Sequence, residues 1–173
     1  MQLEEIYSMY KNKVYNLALQ YVQNIEDAEE ITQDVFVNIH LSLAQFKHNA
    51  ELSTWIYKIT INKSLDYIKM KKRKKRFGLI TSLFHQESNE PRMDVTEFNH
   101  PGVQMENKEA TKKIFNAINA LRDKQRTAII LSKIEQKSQK EIAEIMQLNI
   151  GAVESLIARA KANLAIFLQQ NEG

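Results

Sequence analysis

The residues that could do covalent chemistry in this sequence do not gather into a site. Cysteine is absent, which removes disulfides, thiolate metal ligands and cysteine nucleophiles together. The four histidines, His40, His48, His85 and His100, share no metal-ligand spacing, so no metal is expected. The paired acids Glu29 and Glu30 fall on a helix face that reads as solvated. No nucleophile motif and no glycine-rich phosphate loop is present, so neither a cofactor nor an enzymatic step is expected. What the sequence concentrates instead is positive charge. From 69 to 76, KMKKRKKR, every residue except Met70 is basic. Such a run holds phosphates by releasing counterions, without reading sequence. A solvated helix end would also favour cations, but it needs fewer than these.

A second constellation lies in SQKEIAEIMQLNIGAVESLIARAKANL, residues 138–164. Ser138 stands three residues before Glu141, the capping-box spacing. Ile142, Ala143 and Ile145 are the apolar positions of a short helix, and Ala143 is small enough for a second helix to cross closely. Gln147-Leu148-Asn149 makes the turn, with Leu148 placed to wedge between the helices. The next helix packs through Val153, Leu156 or Ile157, and Ala160. Ala152, Glu154, Ser155, Ala158, Arg159 and Lys161 are left on its outer surface. This pattern predicts a helix-turn-helix whose second helix can enter a major groove; an ordinary helical hairpin is the alternative. A third segment, STWIYKITIN, brings Trp55 and Tyr57 near the basic run. These rings could stack unpaired bases or simply fill a small helical core.

The elements that must position these residues are helical. Only four glycines and two prolines occur in 173 residues, too few to punctuate a many-stranded sheet. Hydrophobic residues make up 43%, enough for packed cores. Leu3, Ile6, Tyr7, Tyr10, Val14, Leu17, Ala18 and Tyr21 recur at spacings of three and four, one helical face. After a break at Gln23-Asn24, a second helix with an acidic first turn carries Ile31, Val35, Ile39 and Leu43 to about Phe46. The polar segment KHNAELST follows, and then a third helix that Ser53 or Thr54 could cap, running into the basic residues. From 77 to 107 the apolar period is lost and both prolines appear, which predicts an interdomain linker. Periodicity returns at about Glu109. The expected fold is all-α: two small helical domains, 1–76 and 108–173, joined by a flexible linker at 77–107. The net charge is only +3, so placement of charge matters more than its total. The N-terminus does not read as a signal peptide and no apolar run is long enough to span a bilayer, so a cytoplasmic protein without membrane insertion is expected.

The order of these pieces carries a resemblance. The segments A-E-E-x-x-Q-D-V-F, F-x(8)-W-I-Y-K-I-x-x-N and I-A-x-I-M-x-L-x-x-G-A-V-E-S-L-I-x-R-A-K follow one another across the chain. Together they resemble an ECF-type (group IV) sigma factor of the sigma-70 family. The resemblance implies a transcription initiation factor whose partners are core RNA polymerase, promoter DNA and an anti-sigma factor. The N-terminal domain would read and melt the −10 element, and the C-terminal domain would bind the double-stranded −35 element. Asp27, Glu30, Gln33 and Asp34 match the polymerase-docking surface. The segment from Phe46 through Lys47, His48 and Asn49 to Thr54 and Trp55 matches the loop that captures a flipped non-template base. Asn62 falls at a −10 specificity position, with Lys58, Lys63, Lys71, Lys72 and Arg73 holding the backbone. Ser138, Gly151, Ala152, Glu154, Ser155, Ala158, Arg159 and Lys161 match the −35-facing set. The family often carries basic residues at the positions of Glu154 and Leu156, so no −35 sequence is inherited. A stand-alone helix-turn-helix regulator that binds operators without polymerase is the alternative reading.

Overall fold

The computed structural model describes residues 2–46, 51–84 and 108–170, with side chains up to residue 80 in the second stretch. The described residues contain helices and no strand. The N-terminal unit is built from α1 (Leu3–Val22), α2 (Ile25–Ser42), a short 3-10 turn (Leu43–Gln45) and α3 (Leu52–Phe84). The break between α1 and α2 falls where the sequence places it. Gln23 adopts a left-handed backbone, φ 50°, which ends α1. Asn24 then caps α2, its Oδ1 accepting the Asp27 N–H at 2.9 Å.

Neither serine nor threonine starts α3. The Trp55 N–H donates to the Glu51 carbonyl at 3.1 Å, so the helix begins ahead of Ser53 and Thr54. At its other end α3 does not stop at Arg76 but continues through Phe84, so residues 77–84 of the expected linker are helical. Gly78 lies in open space within this exposed stretch. A glycine there costs only about 1 kcal/mol of helix propensity, too little to break the helix.

The C-terminal unit comprises α4 (Lys108–Ala120), α5 (Asp123–Ile129), a π-helical turn (Ile130–Ile134), α6 (Gln139–Met146) and α7 (Ile150–Gln170). Its core is Phe115, Ile118, Ala128 to Leu131, Ile142, Val153, Ile157 and Ala160. The N-terminal core is Ile6, Val14, Ala18, Ile31, Val35, Ile39, Ile56 and Tyr67. The two units are docked. Leu17 and Tyr21 of α1 and Tyr57 and Ile61 of α3 are buried in the core of the C-terminal unit. The apolar run of α1, legible in the sequence as one face, therefore serves two cores: Ile6, Val14 and Ala18 face α2 and α3, while Leu17 and Tyr21 face the other unit.

Candidate nucleic-acid and polymerase interfaces

The helix-turn-helix is held by local bonds that the sequence spells out. Ser138 Oγ accepts the Glu141 N–H at 3.2 Å, and Glu141 Oε2 accepts the Ser138 N–H at 2.8 Å, closing the capping box. Lys137 Nζ pairs with Glu141 Oε1 at 2.9 Å. The Lys137 bond, followed by the Ser138 backbone and hydroxyl bonds, holds the Glu141 carboxyl down at about 2. Gln147 ends α6 in a left-handed conformation, φ 55°. Leu148 then turns half-buried against the core, its N–H donating to the Ala143 carbonyl at 2.9 Å. Asn149 caps the second helix, its Oδ1 accepting the Ala152 N–H at 2.7 Å. Val153, Ile157 and Ala160 are buried, and Leu156 packs half-buried beside them. Gly151, Glu154, Ser155, Ala158, Arg159 and Lys161 are exposed, as is Ser138, and Ala152 is half-buried. One face of α7 near its N-terminus is thus open to a groove. Its dipole favours a phosphate there, while Glu154 opposes one.

Along α3, the 3.6-residue period sorts the polar residues onto different faces. Lys58, Asn62, Lys69, Lys72, Arg73 and Arg76 fall on one stripe. Lys58, Asn62 and Lys69 line a single cleft of about 410 Å³, which fixes where that stripe points. Lys63 lies about a quarter-turn away and is half-buried. Lys71 faces the opposite way. At the head of α3, the Phe46 and Trp55 rings meet at 4.8 Å between centroids, tilted by 30°. The pair brackets the segment that contains Lys47, His48 and Asn49, which lie outside the described residues. Thr54 and Trp55 are half-buried beside it. Tyr57, by contrast, is buried, so of the two roles open to these rings it takes the core one.

The acidic set of α2 divides. Glu30, Gln33 and Asp34 are exposed, but Asp27 is turned inward and is only 8% exposed. Its carboxylate accepts the Tyr67 hydroxyl at 2.7 Å and Lys71 Nζ at 2.5 and 2.7 Å. Tyr67 also reaches Glu30 at 3.0 Å. Burial, and then these two carboxylates, raise the Tyr67 hydroxyl pKa well above its ordinary value. Asp27 is thus turned away from the exposed face of α2 and Lys71 is paired with it, because α2 and α3 pack closely enough to desolvate a charge that then needs a partner.

Several further residues matter that the sequence reading left aside. Arg126 is 2% exposed and its Nη2 donates to the carbonyls of Asn119 at 2.6 Å and Leu121 at 3.2 Å, at the end of α4. Burial lowers its pKa. Glu135 accepts Gln20 Nε2 at 2.7 Å and the Tyr57 hydroxyl at 2.6 Å. The Tyr21 hydroxyl donates to Thr127 Oγ1 at 2.9 Å, and Asn119 Nδ2 to Gln23 Oε1 at 2.6 Å. All but the Arg126 bonds cross between the two units. Asn24 and Asn149 could have been found by residue type, since each stands where a helix cap is needed. The long-range pairs carried no local signal. Among the described residues no group of three or more acidic or histidine side chains could hold a metal. His48, His85 and His100 lie outside the described residues. No described helix is long and apolar enough to cross a membrane.

Comparison with known proteins follows this division of the chain. Residues 6–74 match the family description "Sigma-70 region 2", and residues 111–164 match "Sigma-70, region 4". The chain is 30% identical to the ECF RNA polymerase sigma factor SigW of Bacillus subtilis (strain 168), over 92% of this chain and 85% of that one. It is 29% identical to the ECF RNA polymerase sigma-E factor of Haemophilus influenzae, over 89% of this chain and 80% of that one. Among solved structures it is similar to the sigma factor RpoE of Bartonella quintana in complex with the anti-sigma factor NepR, with a TM-score of 0.63, 22% identity and 96% of each chain covered. It is also similar to CnrH in complex with the cytosolic domain of CnrY, with a TM-score of 0.65, 21% identity and 97% and 88% of the two chains covered. These two likenesses concern the fold; the sequence relatives settle the kinship. With a region 2 unit, a region 4 unit and relatives matched along nearly its whole length, the chain belongs to the ECF sigma factors of the sigma-70 family.

Proposed function

We propose that this chain binds core RNA polymerase in the cytoplasm and directs it to promoters, as an initiation factor without a catalytic step of its own. The observation that carries this reading is the pairing of two unlike nucleic-acid surfaces in one chain. One is the exposed outer face of α7, which suits duplex DNA of the −35 element. The other is the α3 stripe, with an amide at Asn62 followed by cations at Lys69, Lys72, Arg73 and Arg76. An amide suits base-edge hydrogen bonds and the cations suit the backbone of a melted −10 strand. The Phe46–Trp55 pair braces the segment 47–50, where an extruded base would be captured. Glu30, Gln33 and Asp34 form the polymerase-docking surface, with Asp27 and Tyr67 holding α2 against α3 behind it. An anti-sigma factor is the expected regulatory partner, as one structural neighbour, RpoE, is a sigma factor in complex with the anti-sigma factor NepR.

A stand-alone operator-binding regulator is not favoured, because it has no use for the N-terminal unit. Electrophoretic mobility shifts with and without core polymerase separate the two. Specific retardation of promoter fragments only in the presence of core polymerase is expected. Tight and specific binding by the pure chain would contradict the proposal.

A further inference from the structure

We propose that the cleft beside Asn62 is a binding site for a nucleotide, with lysines holding its phosphates and the amides of Asn62 and Gln147 meeting the edge of its base. The cleft has a volume of about 410 Å³, within the range of about 300–1,000 Å³ typical of small-molecule sites. On one side α3 contributes Lys58, Asn62 and Lys69, and on the other the C-terminal unit contributes Asp123, Lys124 and Gln147. Three cations therefore face one carboxylate. Lys69 meets Asp123 at 3.4 Å, a pair exposed on both sides and screened by solvent. Among the described residues, Lys58 and Lys124 form no ion pair, and the side-chain amides of Asn62 and Gln147 bond to no other protein group. The cleft thus gathers two cations and two amides that the fold does not use.

Between these polar groups lies an apolar floor. Ile61 and Ile145 are buried there, and Leu65 and Leu148 are half-buried against the same core. The ligand that suits the cleft must therefore be an anion with an apolar face and a hydrogen-bonding edge. A bare phosphate would satisfy the lysines and leave the floor uncovered. A fatty acid would cover the floor and leave the amides idle. A nucleotide engages all three, because a base has apolar faces and an edge that an Asn or Gln amide matches with both a donor and an acceptor. Its phosphates take the lysines as point charges. Lys58 and Lys69 are eleven residues apart, about 16 Å along the helix, so base and phosphate chain fit in line.

A nucleotide seated here has a regulatory consequence, which rests on the reading of Lys58 and Asn62 as −10-facing residues. It covers both, so nucleotide and promoter strand compete for the same side chains. Promoter binding by the chain then falls as the nucleotide rises. Lys124 and Gln147 belong to the site alone, since neither lies on the α3 stripe or on the outer face of α7. Both are exposed, so replacing them leaves the cores intact.

The test titrates ribose-labelled fluorescent ATP and GTP with the full chain and reads anisotropy. Saturable one-to-one binding of at least one of them is expected, displaced by the unlabelled nucleotide but not by equimolar pyrophosphate or nucleoside. Lys124→Ala should weaken it about tenfold or more, as a charge-assisted bond lost, and Gln147→Ala about two- to tenfold. Lys74→Ala, in the basic run but away from the cleft, should leave it unchanged. No saturable binding overturns the proposal. So does equal displacement by pyrophosphate, or a loss in Lys74→Ala matching that in Lys124→Ala, since the anion would then sit on the basic run. Mobility shifts of a promoter fragment with core polymerase then test the consequence. The bound nucleotide should reduce the shifted fraction with the parent chain and not with Lys124→Ala; the nucleotide sites of polymerase itself are common to both. Nucleotide binding without that difference would overturn the competition. A fragment never shifted, with or without nucleotide, would remove the promoter-reading role and leave the binding site standing.

Discussion

Replacing Lys72, Arg73 and Arg76 together with alanine tests how α3 meets DNA. All three lie on the stripe that continues from Asn62, and all are exposed. Each phosphate contact lowers the slope of log affinity against log salt by about 0.9 on duplex and about 0.7 on single-stranded DNA. Losing three contacts should therefore flatten the slope by about 2 to 2.7. Between 50 and 200 mM salt, the parent should lose about 20- to 40-fold more affinity than the variant. The assay is equilibrium binding of the assembled holoenzyme to a fluorescent promoter fragment across a potassium chloride series. Lys74→Ala is the control, because Lys74 lies on the far side of the same helix. A slope unchanged by the triple variant, or flattened as much by the control, would refute the assignment of that face.

Other consequences are open to direct measurement. Asn62→Ala should impair discrimination among −10 sequences in competition assays while leaving polymerase binding unchanged; equal loss of both would contradict its role. Asp34→Lys should weaken binding to core polymerase in a titration and leave the melting temperature alone. Asp27→Ala should do the reverse, costing about 1–2 kcal/mol by denaturant unfolding, since Lys71 is half-exposed and partly screened. Ser138→Ala should cost about 1 kcal/mol as a lost cap, seen by calorimetry. The Glu141 carboxyl is held at about 2 in the fold, below the ~4.3 of an unfolded chain. Its stabilising contribution is therefore present above about pH 4.3 and lost as pH falls through about 2. Glu141→Gln should flatten stability over that acid range, and an unchanged acid limb would count against the capping geometry.

The parts of this molecule that were legible in the sequence are those governed by neighbours in the chain. Ser138 and Glu141, Leu148, and the Val153, Ile157 and Ala160 face needed only spacing and residue type. The same holds for the break at Gln23-Asn24. The end of α3 was less legible, because a single exposed Gly78 is too weak a signal to stop or extend a helix by itself. Asp27 illustrates a further limit. An acid in a first turn is favoured there by the helix dipole whether or not it faces solvent. Only the approach of Tyr67 and Lys71, about forty positions away, reveals that it is buried. The seam was less accessible still. Leu17, Tyr21 and Tyr57 have the apolar character of any core position, and nothing local distinguishes the core they join. Glu135 looks like a surface acid until Gln20 and Tyr57 are brought to it.

The central claim is tested most directly by run-off transcription with purified core polymerase on genomic fragments, with start sites mapped. The account predicts discrete transcripts that depend on this chain, initiate downstream of a shared pair of elements, and become less selective for the −10 sequence in Asn62→Ala. Transcription that is identical with and without the chain, under conditions where it binds core polymerase, would contradict it.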